Sequence, residues 1–191
     1  IRGAISIARR LQDPMAELVK IDPKSIGVGQ YQHDVNEKRL NEVLDGVVED
    51  SVNKIGVDLN SASYSLLEHV SGISKSIAKN IVAYRDENGE FENREDLKKV
   101  KRLGPAAFKQ AAGFIRITNA KNPLDNTGVH PESYKACMNI LDLLGYSLDD
   151  ISSNGLGDID KRLKSYGLVK LCQDSGLGEA TLKDIIEEIK K

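Results

Sequence analysis

Apolar residues recur at helical spacing along most of the chain, and they predict almost nothing but helices. "GAISIARRLQDPMAELV" shows the pattern first, with Pro14 interrupting it at a new first turn. "DPKSIGVGQYQHD" carries Pro23, Gly27 and Gly29 and reads as a loop. "NEKRLNEVLDGVVEDSVNKIG" begins at Asn36, an N-cap residue type. It sets Leu40, Val43, Leu44, Val47, Val48 and Val52 on one face of a helix of about five turns, broken at Gly56. No segment alternates with period two for more than a few residues. The expected fold class is all-α.

The pattern also repeats. A shift of thirty residues lays Leu67 on Leu97, Val70 on Val100, Ile73 on Leu103, Ile81 on Ala111 and Tyr84 on Phe114. "HVSGISKSIAKNI" thereby aligns with "KVKRLGPAAFKQA". Each copy reads as a short helix, a tight hairpin and a second helix. Ser61 or Ser63 caps the first copy, Gly72 turns it, and Ser74 caps its second helix. Asn93 caps the second copy, which turns at Lys101-Arg102 and re-enters a helix at Gly104-Pro105, a strong start. One copy exposes an apolar stripe that only pairing with the other buries. Leu67, Val70, Ile73, Ile77, Ile81, Leu97, Val100, Leu103, Phe108 and Phe114 are the expected core.

The 191 residues are enough for one domain or two small ones. No apolar run is long enough for a bilayer, and no secretory pattern is present, so no membrane role and a cytoplasmic location are expected. Cys137 and Cys172 are isolated and read as free thiols in a reducing compartment. The chain opens on Ile1 and reads as a fragment of something longer. Net charge is −2, which argues against a generic polyanion binder. Its distribution changes that picture. Residues 1–57 carry 8 basic and 9 acidic side chains, residues 58–117 carry 10 and 8, and residues 118–191 carry 9 and 12. Only the repeated segment leans basic.

The hairpins therefore carry the chemistry. The first amides of a helix have no partner inside it and favour an anion at its end. Gly72 and Gly104 are read as clearing a close approach, and Lys75, Lys79 and Lys109 as adding mobile charge. With Ser74, Ser76, Lys101, Arg102 and Ala106 they make a phosphate-docking surface built mostly from backbone. Such a surface cannot read bases, so it predicts nucleic-acid binding without sequence preference.

At these residues the chain resembles the helix-hairpin-helix family, whose hairpin is apolar-x-Gly-apolar-Gly with a small residue at the fourth helix position. The first hairpin is Val70-Ser71-Gly72-Ile73-Ser74 with Ala78 at the small position, so Ser stands for the second Gly. The second is Val100-Lys101-Arg102-Leu103-Gly104 with Phe108 there, so Arg stands for the first Gly. Longer stretches, "GVDLNSASYSLLEHVSG", "NIVAYRDENGEFENREDLKKV", "RLGPAAFKQAAGFIRI" and "NPLDNTGVHPESY", are similar to the Tex family of bacterial transcription accessory proteins, over essentially the whole chain. That resemblance implies nucleic acid and the transcription machinery as partners. It also implies kinship with a eukaryotic elongation factor. Residues 1–35 would be the tail of a ribonuclease-H-like domain and a linker, 36–57 a connecting helix, and 58–118 a tandem helix-hairpin-helix domain. Residues 119–191 would be a helical segment preceding an S1 domain absent from this chain.

Little else points to chemistry. His33, His69 and His130 lie in separate segments, "GVGQ" lacks the strand and Gly-Lys-Ser/Thr of a phosphate loop, and the carboxylates of "LDD" and "GDID" read as solvated helix starts. Asp13 could lie near the last acid of a ribonuclease-H-like site, whose other acids would fall upstream. No enzyme, cofactor or metal is expected. "SGLGEATLKDII" (175–186) looks like a third hairpin, but Glu179 replaces the Lys75 of the first, so a packing role is expected. Phe108 and Phe114 read as core, not as a stacking platform. The alternative to a nucleic-acid module is a helical protein scaffold, favoured by the acidic C-terminal third and the two replaced glycines.

Overall fold

A computed structural model gives the structure over residues 2–27, 29, 31–153 and 155–190. Helix α1 (Arg2–Gln12) ends at Asp13, whose carboxylate accepts the Ala16 N–H at 3.2 Å and starts α2 (Pro14–Leu18), with Pro14 at its first position. Asn36 caps α3 (Glu37–Ile55) through the Arg39 N–H, and Gly56 ends it at φ +83°. The tandem unit follows: β1 (Val57–Asp58), α4 (Tyr64–Leu67), α5 (Lys75–Asn88), a 3-10 turn (Arg94–Lys99), α6 (Pro105–Ala111) and β2 (Ile115–Arg116). Beyond it come α7 (Tyr134–Leu144), α8 (Asp149–Ser152), α9 (Ile159–Tyr166), α10 (Leu168–Ser175) and α11 (Glu179–Lys190).

The fold is all-α but for one small element that the periodicity does not reveal. β1 and β2 pair in parallel, Val57 with Ile115 and Asp58 with Arg116. The pair draws together the two ends of the repeated segment. Asp58 reinforces it, accepting from Asn60 N–H, Ser61 N–H and Oγ, and across the pair from Thr118 N–H and Oγ1 at 3.3 and 2.6 Å.

Two apolar cores result. The first gathers Val52 and Val57, the repeat residues Leu67 to Leu103, and Phe108 to Ile117. Each fully buried aliphatic here contributes roughly 1.5–3 kcal/mol. Nine of the ten expected core residues are buried, and Phe114 is only half-buried. At β2 the chain alternates, Ile115 and Ile117 fully buried and Phe114 and Arg116 half-buried, so the strand's period of two overrides the helical register. The second core joins Leu124 and Val129 to α7, Leu171 of α10, and Leu182, Ile185, Ile186 and Ile189 of α11.

Helix α3 buries only part of its apolar face. Val52 is 1% exposed, but Val43 and Val47 remain 49% and 55% exposed. The helix is amphipathic as its sequence requires, yet only its last turns reach the first core, where Val48 also packs. On its earlier turns Leu40 and Leu44 are half-buried, while Val43 and Val47 stay open to solvent.

Candidate nucleic-acid interface

The two hairpins are built alike, atom for atom on the backbone. In the first, Val70 N–H donates to Leu67 C=O at 3.0 Å and Ile73 N–H to Val70 C=O at 2.9 Å. In the second, Val100 N–H donates to Leu97 C=O and Leu103 N–H to Val100 C=O, at 3.0 and 3.1 Å. The turn between needs a left-handed residue. Gly72 takes φ +83° in one hairpin and Arg102 takes φ +69° in the other. Ser63 and Asn93 start the two units, accepting the Leu66 and Asp96 N–H groups.

The second helices begin less alike. Ser74 Oγ accepts the Ile77 N–H at 3.4 Å, so α5 is capped on one amide. Gly104 provides no side-chain cap to α6, and Pro105 brings no N–H of its own. The amides of Lys75 and Ser76, and of Ala106 and Ala107, find no acceptor among the described residues.

Each hairpin also leans on the other unit's helix. Asn80 of α5 donates from Nδ2 to the Lys101 carbonyl at 2.7 Å. Gln110, thirty residues on in α6, lies against Gly72: a Cβ there would come 2.7 Å from Gln110 Cβ and 3.0 Å from the Ala107 carbonyl oxygen. Gly72 thus clears room for α6. This corrects the expectation that it clears room for a ligand. Gly104 meets nothing within 4 Å of an added Cβ, and its φ of −81° suits any residue. It faces open space, where an approach from outside is free.

Ser74, Lys75, Ser76, Lys79, Lys101, Arg102, Gly104, Ala106 and Lys109 are all exposed. Lys75, Lys101 and Arg102 have no carboxylate partner among the described residues. Lys79 Nζ lies 5.9 Å from the Tyr64 ring centroid. Lys109 is engaged: its Nζ sits 3.0 Å from Glu132, whose carboxyl this hydrogen bond holds below the usual range. His130 Nε2 lies 3.0 Å from the Lys109 carbonyl, and its Nδ1 accepts the Glu132 N–H.

Behind this face lies a cluster the sequence reading missed. Arg94, 1% exposed, opens the second unit and reaches into the segment that follows the tandem domain. It donates to the carbonyls of Ile115, Val129 and Thr127, and to Tyr134 Oη at 2.8 Å. Tyr134 in turn donates to Asp125 at 2.5 Å, while Asp125 also accepts the Arg94 N–H at 3.4 Å. Burial raises the Tyr134 phenol well above its ordinary value. It also lowers neighbouring Arg116 to about 10, with the charge of Arg94 as the next cause. The stretch "NPLDNTGVH" supplies three of these acceptors, at Asp125, Thr127 and Val129.

The hairpin at 175–179 packs the last helix. Gly176 turns at φ +69°, Leu177 N–H donates to Cys172 C=O, and Glu179 pairs with Lys183 at 2.5 Å. Three carboxylates of "LDD" and "GDID" have partners: Asp150 accepts from Ser147, Asp158 from Tyr146 and Arg162, and Asp160 from Lys190. Among the described residues no three His, Cys, Asp or Glu side chains gather as a metal site, and no helix is long and apolar enough to cross a membrane.

Comparison with known proteins agrees with this geometry. A family described as the helix-hairpin-helix motif matches residues 52–116, and one described as the HHH domain matches residues 122–191. The second match covers the part read from sequence only as a helical segment. The chain is 53% identical over 191 residues to the transcriptional accessory protein Tex of Neisseria gonorrhoeae, covering 100% of this chain and 24% of that protein. It is 52% identical over 190 residues to the uncharacterized protein YdcI of Bacillus subtilis, covering 100% of this chain and 26% of that protein. It is 40% identical over 240 aligned residues to the human S1 RNA-binding domain-containing protein 1, covering 100% and 24%. The chain therefore spans about a quarter of the length of the curated relatives it matches.

Proposed function

The chain belongs to the Tex family of transcription accessory proteins, and from that premise we propose that it is a non-catalytic module that binds nucleic acid without sequence preference. Its hairpin face docks backbone phosphates on the open amides of α5 and α6 and on the side chains around them. The observation that carries this reading is the coincidence, on two hairpins of one geometry, of unpartnered amides and of Lys75, Lys101 and Arg102 without carboxylate partners. Phosphate oxygens satisfy both, and neither reads a base.

In this reading the module works in the cytoplasm beside the transcription machinery. Residues 1–35 are the tail of a ribonuclease-H-like domain, 36–57 a connecting helix, 58–118 the binding unit, and 119–191 a helical unit that buttresses it through Arg94. A second reading, a protein scaffold, draws support from the exposed Val43 and Val47 of α3 and from the Glu132 carboxylate on Lys109.

Titration with labelled DNA and RNA at low and moderate salt separates the two. The binding module gives affinity that is indifferent to sequence and falls steeply with salt, because counterions are released. Changing Lys75, Lys79 and Lys109 together to Glu abolishes it with helix content intact. Affinity unmoved by that change, or strong preference for one sequence, would overturn the phosphate mechanism.

A further inference from the structure

We infer that His130 makes nucleic-acid binding respond to pH: its neutral ring seats Glu132 on Lys109, and its charged ring takes that carboxylate for itself and frees the lysine. The inference rests on the hairpin face being the nucleic-acid site. His130 stands half-buried where the tandem unit meets the segment after it, and both ring nitrogens are engaged by backbone groups of fixed role. Nε2 lies 3.0 Å from the Lys109 carbonyl, which can only accept, so Nε2 carries the proton. Nδ1 lies 3.2 Å from the Glu132 N–H, which can only donate, so Nδ1 is bare. One neutral tautomer satisfies both, and with it the ring caps the turn Pro131–Ser133. In that turn Glu132 reaches Lys109 Nζ at 3.0 Å, so the ring and the carboxylate hold the two ends of one lysine.

A second proton on the ring must go to Nδ1. There it meets the Glu132 N–H, donor against donor, and the cap is lost. Glu132 Oε2 lies 3.8 Å from the same nitrogen and offers the new N–H an acceptor. The charged ring and Lys109 then draw on one carboxylate. The Lys109 hydrogen bond holds the Glu132 carboxyl below its usual range, so it stays ionised wherever a histidine titrates. Among the described residues Lys109 on α6 and Glu132 on its own turn are the charged groups in contact with the ring. Its Cδ2 edge lies against Gly113, beyond the end of α6, which carries no charge. Lys109 and Glu132 are both exposed, so their ion pair is weak and a rival cation displaces it.

The test measures the whole chain at low salt against a fluorescein-labelled random-sequence DNA duplex, by anisotropy between about pH 8 and 5.5, where histidine is the side chain that changes charge. Wild-type affinity rises about threefold as pH falls, within the roughly fivefold that one exposed ion pair is worth. His130→Asn keeps a capping oxygen without a charge, so its affinity stays level over that range. Glu132→Gln binds near pH 8 about as tightly as wild type does at the acid end, and gains little further. His33→Gln and His69→Gln keep the wild-type response. A response that survives in His130→Asn would overturn the inference. So would an undiminished response in Glu132→Gln, which would make the ring a direct phosphate contact. A long-range proton–nitrogen NMR spectrum of the free chain reads the ring itself, and a neutral ring with its proton on Nδ1 would also overturn it. If wild type binds with salt dependence but without the pH response, this inference alone falls. If wild type shows no salt-dependent binding at any pH, the functional reading falls, and this inference with it.

Discussion

Gly72 and Arg102, thirty residues apart, occupy the same left-handed turn at φ +83° and +69°, but only Gly72 is pressed against the opposite unit, at Gln110 and the Ala107 carbonyl. One position is glycine for two reasons, conformation and space. The other meets only the conformational demand and carries the largest cationic side chain instead.

Gly72→Val combines the backbone penalty with a collision against main chain. About 1–2 kcal/mol comes from the positive φ, and a further 1–3 from overpacking. Urea denaturation should show the loss. Gly104→Val, at φ −81° with open space beyond, should change stability by less than about 1 kcal/mol. That is a smaller effect than its place in a hairpin suggests, so this variant reports on binding with little disturbance of the fold.

Arg94→Leu should be among the most damaging single changes in the chain. It takes the guanidinium donor from the carbonyls of Thr127 and Val129 and from Tyr134 Oη, while Ile115 C=O keeps a bond from Arg116 and the residue 94 backbone N–H still reaches Asp125. Each buried acceptor left without its donor costs about 1–3 kcal/mol. Tyr134→Phe removes one member of the same cluster, so the double variant should lose less than the sum of the two. Strict additivity by chemical denaturation would contradict the network.

Asp58 sets an acid limit on the β1–β2 closure. Burial pushes its carboxyl up, but the bonds from Thr118 and Ser61 outweigh that, and the net shift is down from 3.8. A folded-state value below the unfolded one gives stability that is complete above the unfolded value and is lost as pH falls through the folded one. Wild type and Asp58→Asn should therefore differ most at neutral pH and converge below about pH 4. A difference that persists unchanged at pH 2 would show that Asp58 acts by shape and not by charge.

On the proposed phosphate-docking reading, Glu132 would compete with phosphate for Lys109. Glu132→Gln removes the 3.0 Å ion pair between two exposed side chains, a contact worth at most about 1 kcal/mol. Nucleic-acid affinity should rise about twofold to threefold at low salt and not at high salt. Lys109→Glu in the Glu132→Gln background should cancel the gain.

The hairpins were legible because their information is local. Caps at Ser63, Ser74 and Asn93, the turn at Gly72, the Gly104-Pro105 start and the spacing of the apolar residues all act within a few positions of themselves. The same holds for the ends of α3 at Asn36 and Gly56. Where local patterns compete, reading failed in identifiable places: Phe114 followed the strand it enters, not the repeat it belongs to. For α3, amphipathicity marked an apolar face and left open whether anything lies against it.

By itself, then, the sequence determined the all-α class, the two hairpins with their turns, and the basic residues beside them. Each of these depends on backbone propensity, capping or periodicity over less than two helical turns. Only the tertiary structure decided that Gly72 makes room for α6, that Glu132 occupies Lys109, and that Arg94 is a buried hub. The partners of Arg94 lie 21, 33, 35 and 40 residues away, at carbonyls that every residue possesses and at one tyrosine. A backbone acceptor leaves no mark in the amino-acid sequence. Only the folded chain shows which of them a buried guanidinium will find.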